Sequence, residues 1–297
     1  MPGIIGIMHS GTSGHHDAHL NALKIGLAWA GQPYSGLTPH GPFYANDNRQ
    51  TLHTIAGNLA AVPNIQVIIA GGGTASAMEA MNATNTISIV YTSVAFSARP
   101  AQNMTGICAR TSELDRDRLR YLHAVRGSSP VGVLTNSSRP NFSNEWATLQ
   151  AAANSLNVRL QQQDVTAAAN IHSAFNSFQP GQPVLVTADP LFNNNRPMVI
   201  TAAGNRNTPA IYQWREFAQD GGLMSYGPSL TYAYELAGNY AGQILNGAQP
   251  NSLNPVTLQT LELVINLRTA NDLNNALGGF QIPPGVLAQA NDIIWAP

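Results

Sequence analysis

Charge is scarce in this chain: its 297 residues include fourteen Lys plus Arg and fifteen Asp plus Glu, 10% in all, where soluble domains ordinarily carry about 25%. The formal net charge of -1 leaves no basic excess to neutralise a phosphate backbone or an anionic membrane surface, which excludes nucleic acid as the main partner. The chain is 44% hydrophobic, so its low charge points to a large buried core and not to disorder. Lys24 is the only lysine and leaves lysine-based chemistry a single candidate. The lone cysteine, Cys108, excludes an internal disulfide framework and any multi-cysteine metal site, and is expected as a small buried residue. No window reaches the roughly 18 apolar residues of a membrane helix. The N-terminus passes from Met1-Pro-Gly directly into Ile4-Ile-Gly-Ile-Met8 with no basic segment, which reads as a strand. A soluble chain without a signal peptide is the expectation.

What is present is a regular alternation. Short apolar runs, Ile4 to Met8, Val67 to Ala70, Ile87 to Tyr91, Val131 to Leu134, Val184 to Thr187 and Ala210 to Tyr212, end in Gly, Ser, Thr, Asn or Asp. Near-continuous apolar runs suit strands of a parallel sheet buried on both faces. Between them the helical stretches are His15 to Ala30, Arg49 to Ala61, Thr74 to Ala83, Ser112 to Val125, Ser143 to Leu156 and Val165 to Phe178. The order βαβα predicts an α/β fold with mostly parallel sheets. One series runs from Ile4 to about Cys108 and a second begins at Val131, each large enough for its own lobe. Two such lobes bring sets of strand C-terminal loops to a cleft, where open α/β sheets bind ligands. Glu113-Leu-Asp-Arg-Asp-Arg-Leu-Arg120 pairs Glu113 with Arg116, Asp115 with Arg118 and Asp117 with Arg120 at i,i+3, and is expected as a solvated helix face. Asparagine is abundant and falls mostly where turns and helix ends are expected.

Several strand ends carry candidate chemistry. Ala70-Gly-Gly-Gly-Thr-Ala-Ser76 follows a strand and opens a helix, so backbone amides there can hold a carboxylate or phosphate oxygen; the alternative is a tight turn capped by Ser76 and Glu79. Neither the P-loop ending nor the dinucleotide spacing is present, which disfavours nucleotides. His9-Ser-Gly-Thr-Ser-Gly-His-His16 occupies the same position after the first strand; its hydroxyls are ligand donors, and Gly11-Thr-Ser13-Gly14-His15 breaks the GxSxG nucleophile elbow. His15 and His19 have the spacing of a zinc helix, but His16 replaces the glutamate and no third ligand suggests itself, so no metal is expected. Asp189, in Val184-Leu-Val-Thr-Ala-Asp189-Pro, ends an apolar strand; it can meet a ligand ammonium, cap the following helix, or both. Val133-Leu-Thr-Asn136 and Ile89-Val-Tyr-Thr-Ser93 add further strand-end polar groups.

The most informative stretch is PAIYQWREFAQDGGLMSYGPSL, from Pro209 to Leu230, followed by ELVINLRTANDL and IPPGVLAQANDII near the C-terminus. With Gly71-Gly-Gly-Thr74, Asn103-Met-Thr-Gly106 and Ala188-Asp189-Pro-Leu-Phe-Asn193, it resembles the substrate-binding proteins of ABC importers, in the tryptophan/aromatic amino-acid-binding group of the type I periplasmic-binding-protein superfamily. The resemblance implies two Rossmann-like lobes with parallel sheets and three crossovers. Lobe one is expected at 1–108 plus about 228–255, and lobe two at 109–227 plus about 256–297. By the same resemblance the ligand contacts are Ser10, Gly11, Thr12, Gly73, Thr74, Ala75, Thr92 and Ser93 in lobe one, while Asn136, Asp189, Trp214 and Tyr226 face them or line the hinge. Two positions depart from the family pattern: Thr92-Ser93-Val94-Ala95 runs on to Pro100 without the usual Gly-Asp-Pro-Val loop, and Asn136-Ser137 stands where Asn-Pro is common.

The function implied is a non-catalytic solute-binding component of an ABC importer, closing by a hinge on an amino acid or an aromatic or carboxylate compound. Its partners are the ligand and the permease and ATPase subunits; no cofactor, no metal and no nucleic acid are expected. The protein is expected to be a monomer acting in the periplasm or otherwise outside the cytoplasm. The alternatives are a cytosolic ligand sensor of the same fold, or an α/β enzyme using Asp189, Glu216 or His9 as acid or base.

Overall fold

The computed structural model describes residues 2–13, 17–94, 99–109, 111–127, 130–139 and 142–295. From the N-terminus the elements are β1 (Ile4–His9), α1 (Asp17–Trp29), β2 (Thr38–Tyr44), α2 (Arg49–Ala60), β3 (Val67–Gly71), α3 (Thr74–Ala83), β4 (Ser88–Val94) and β5 (Met104–Cys108). There follow α4 (Asp115–Arg126), β6 (Val131–Thr135), α5 (Phe142–Ser155), β7 (Leu160–Asp164), α6 (Ile171–Asn176), β8 (Val184–Val186), α7 (Pro190–Asn194), α8 (Arg196–Asn205), β9 (Ala210–Tyr212), α9 (Arg215–Gln219) and β10 (Met224–Pro228). The chain ends with α10 (Leu230–Leu245), β11 (Val256–Thr257), β12 (Leu261–Asn266), α11 (Leu267–Leu277), α12 (Pro284–Leu287) and β13 (Asp292–Ile294). These elements form two compact units, one of residues 1–110 and 230–259, the other of 111–229 and 260–297, so the chain crosses between them three times. The fold is the expected α/β architecture of two sheets.

Unit 1 is built on a six-stranded sheet of order β11-β5-β4-β3-β1-β2 in which every pairing is parallel. Its central strands β3 and β5 are buried at every residue, as apolar runs between two helical layers must be. One layer packs α2 and α3 against Met8, Ile68, Ile89 and Tyr91. The other packs α1 and α10 against Ile5, Ile7, Ile69 and Val90. Here α1 and α10 approach backbone to backbone. A Cβ on Gly26 would fall inside the Glu235 carbonyl, and one on Gly238 would meet the Leu23 carbonyl, so glycine sets the crossing distance. Cys108 is buried in this unit, as expected.

Unit 2 has a seven-stranded sheet of order β13-β12-β10-β9-β8-β6-β7, parallel except for the antiparallel β10–β12 pair. Leu119 and Leu122 of α4, Leu149 and Ala153 of α5 and Leu273 of α11 cover one face. The charged segment forms the expected solvated face only in part: the i,i+3 pairs Asp117–Arg120 and Asp115–Arg118 both form, the first at the surface and the second buried. Thr111–Leu114 is a 3-10 turn, and within α4 only the pairs around Asp117 are exposed. Arg118 is fully buried, 2.5 Å from Asp115 Oδ1, and donates to the carbonyls of Thr111 and Tyr226, 2.8 and 2.7 Å away. Those carbonyls are why a cation is tolerated there. Burial nevertheless pushes the Asp115 carboxyl up to about 6, against the attraction of Arg118.

Much of the asparagine has a local backbone role. Asn46, Asn64, Asn157 and Asn207 adopt positive φ, and Asn48 and Asn266 cap α2 and α11 by accepting from Thr51 N and Thr269 N.

Candidate functional site

In unit 1 the strands β4, β3 and β1 are neighbours, so the loops after them share one edge of the sheet. Ser10, Gly11 and Thr12 follow β1, Gly73, Thr74 and Ala75 follow β3, and Thr92 and Ser93 lie near the end of β4. The structure thus brings all eight expected residues of this unit to one edge. The two loops are tied together: Ser10 Oγ donates to the Gly72 carbonyl at 2.8 Å, and Gly72 N donates to Tyr234 Oη at 3.1 Å. Gly72, at φ 84°, has no room for a side chain, since a Cβ would meet Ser10 Oγ and lie 2.7 Å from His9 Cε1. Gly73, at φ 102°, is the N-cap of α3, which leaves the first amides of a ten-residue helix directed at the edge. The expected cap by Ser76 and Glu79 does not form. Ser76 is buried within the first helical turn, and Glu79 pairs instead with Arg49 Nε at 3.1 Å and His53 Nδ1 at 3.0 Å. Burial raises the Glu79 carboxyl, but these two partners outweigh it and hold it below its ordinary range. At the end of β4 the hydroxyls of Thr92 and Ser93 lie 3.2 Å apart.

Two ring residues lie beneath these loops, His9, read in the sequence as a candidate acid or base, and Tyr234, which carried no signal there. His9 Nδ1 accepts from Gly11 N at 2.9 Å, and the His9 ring lies near those of Tyr44 and Tyr234. Tyr234 stacks on His19 with ring centroids 4.5 Å apart. Tyr234 belongs to α10, 162 residues along the chain from Gly72, a distance that no local pattern spans. His15 and His16, read for metal spacing, lie outside the described residues, as does Ala95 in the loop after β4; among the described residues no His/Cys/Asp/Glu group of metal-binding kind occurs.

In unit 2 Asn136, Asp189 and Trp214 lie in the loops that follow the adjacent strands β6, β8 and β9. Asp189 is 4% exposed and has a double role. Its Oδ1 caps α7 by accepting from Leu191 N at 2.7 Å and lies 3.3 Å from Asn136 Nδ2. Its Oδ2 lies 3.4 Å from Arg139 Nε, a charge contact whose angle makes no hydrogen bond, and accepts none among the described residues. Burial raises the Asp189 carboxyl, and Arg139, the Leu191 amide and Asn136 pull it back only in part. Arg139 also bonds to Glu145 and to the Ala188 carbonyl. Asp164, at the end of β7, accepts from Ser137 N at 2.7 Å and Ser137 Oγ at 2.5 Å. Three carboxylates against one guanidinium leave this edge negative. Trp214 is buried at 7% exposure and its backbone caps α9. Tyr226 lies in β10, the other neighbour of β9, two residues before that strand ends at Pro228, with its ring 5.0 Å from that of Tyr121. The role of Arg139 went unread in the sequence because its acidic partners are spread from Glu145 to Asp189. Open hollows of about 550 and 600 Å³ near Arg159 lie where β6, β7 and β8 begin, at the opposite ends of these strands.

Comparison with known proteins bears on the family and the fold. A family model described as ABC transporter substrate binding protein matches residues 43–294. A protein named tyrosine-binding protein from Clostridioides difficile (strain R20291) is 25% identical over 240 residues, 77% of this chain and 69% of that protein. Among solved structures, a conserved domain protein from Vibrio cholerae is similar with a TM-score of 0.84 at 21% identity, over 99% of this chain and all of the other. A domain from Streptococcus pneumonia solved in complex with L-Trp has the same TM-score at 19% identity and the same coverage.

Proposed function

We propose that this chain, which belongs to the ABC transporter substrate binding protein family, captures an α-amino acid with an aromatic side chain. Membership makes it the solute-binding component of an ABC importer, with a small molecule as ligand and the transporter's permease and ATPase subunits as partners. The observation that carries the ligand reading is Asp189, a nearly buried carboxylate whose Oδ2 lies 3.4 Å from Arg139 Nε but accepts no hydrogen bond among the described residues. An ammonium group is the complement of that oxygen. The tyrosine-binding relative and the L-Trp complex support an aromatic side chain on the same ligand.

The protein binds this ligand without turning it over. Ser10 Oγ is spent on the Gly72 carbonyl and His9 Nδ1 on the Gly11 amide, so the two do not act on each other as nucleophile and base. Family membership also supports action outside the cytoplasm. A monomer is part of the same reading, and the net charge of -1 supports the absence of a nucleic-acid partner. Calorimetry with L-tyrosine, L-tryptophan and their deaminated propionic acids tests the reading. The amino acids are expected to bind at least tenfold more tightly than the deaminated acids and to leave the titrant chemically unchanged. Equal affinity for the deaminated acids would remove the ammonium, and with it the role of Asp189.

A further inference from the structure

We propose that Gln213 is a ligand-contacting residue whose side-chain carboxamide binds a ligand head that both donates and accepts hydrogen bonds. Gln213 follows β9 directly and is 1% exposed. Among the described residues, neither its Nε2 nor its Oε1 has a hydrogen-bond partner. Buried primary amides are nearly always paired, because leaving them unpaired forfeits their hydration with no return. At the ends of β6 and β8 each polar side chain has at least one partner: Asn136 Nδ2 donates to Asp189 Oδ1, which also holds the α7 backbone, while Asp189 Oδ2 accepts no hydrogen bond among the described residues. The parallel pairing of β8 with β9, Leu185 opposite Ile211, brings Gln213 to the same edge as Asp189.

The class of ligand rests on the amino-acid reading above. Asp189 Oδ2 supplies an acceptor with negative charge, and the carboxamide supplies one further acceptor and two N–H donors. Together they match an ammonium and a carboxylate on one carbon, the head common to all α-amino acids. Gln213 would then select for the head group, and the aromatic body would be recognised elsewhere. The rival account is internal. Arg118 Nη2 is also buried without a partner, and a Cβ on Gly227 would lie 3.4 Å from it while meeting the Gln213 carbonyl, so the two residues share a neighbourhood. In that account the amide serves packing around Arg118.

Gln213→Leu, which keeps the volume and removes the polarity, separates the two. The full chain is titrated with L-tyrosine and L-tryptophan by calorimetry, and its ligand-free Tm is measured alongside. The expected result is an affinity at least tenfold weaker with a ligand-free Tm unchanged or higher. An affinity within twofold of wild type overturns the proposal. A ligand-free Tm lower by several degrees also overturns it, since the amide would then be satisfied inside the protein. If wild type binds neither amino acid, the aromatic amino-acid reading fails on its own. The Tm still decides Gln213: an unchanged or raised value supports a group folded for a ligand, and a lowered one removes it.

Discussion

Asp189 caps α7 with one oxygen and is proposed to meet a ligand ammonium with the other, and Asp189→Asn separates the two roles. Asparagine is as good an N-cap as aspartate, so the substituted carboxamide can still accept from Leu191 N while offering no charge to an ammonium. The variant is expected to keep its Tm within a few degrees and to lose about 2–5 kcal/mol of affinity for an amino acid, as when a buried charge pair is broken. Affinity that survives intact would make Asp189 a cap alone. The Asp115 carboxyl gives a second prediction, for stability. Burial raises it to about 6 in the folded chain, above the value of about 4 in an unfolded one. The folded state therefore holds this proton more tightly, so the group's contribution is complete below about pH 4 and is lost as pH rises through 6. Melting wild type and Asp115→Asn across pH 4 to 7 should show wild type losing stability relative to the variant over that window. A relative gain would mean that the attraction of Arg118 outweighs burial.

At the scale of the element, glycine contact between α1 and α10 is the most exacting packing in unit 1. Gly26→Val drives a branched side chain into the Glu235 carbonyl, and overpacking of this kind costs on the order of 1–3 kcal/mol or more. A Tm several degrees below wild type is expected. Which elements could be read from sequence follows from their surroundings. The runs in β1, β3, β6, β8 and β9 are apolar because both faces of each strand are covered, and α3 was legible from Thr74 to Ala83. Strand β2, Thr-Pro-His-Gly-Pro-Phe-Tyr, escaped because an edge strand tolerates the prolines that a central one cannot. Strand β7, Leu-Gln-Gln-Gln-Asp, escaped for the related reason that its edge position leaves it half-exposed and polar. The stretch from Val165 to Phe178 holds a shorter helix than its periodicity suggested, Ile171–Asn176. The site was legible wherever a strand end bears a small polar residue, as at Ser10, Thr74 and Asp189. It was illegible where the partner comes from a distant segment, as with Tyr234 at Gly72 and Arg139 at Asp189. Gln213 was passed over because glutamine beside an aromatic run carries no pattern of its own; only its burial singles it out.

At the scale of the molecule, the core clusters of unit 1 and that of unit 2 are built from different residues, and their stabilities should be separable. In Gly26→Val, amide hydrogen exchange is expected to quicken in β1, β3 and β4 and to stay near wild-type rates in β6, β8 and β9. Uniform acceleration would show that the two units open as one. The three crossings also govern how the chain comes into being. Helix α10, on which Leu23 and Leu27 lie, is made after the whole first segment of unit 2, and β12, the partner of β10, is made later still. A nascent chain released as far as residue 229 holds most of both sheets and can complete neither. Through most of its own synthesis the polypeptide lacks the last strands of both sheets, so neither unit can reach its final form until the chain is nearly finished.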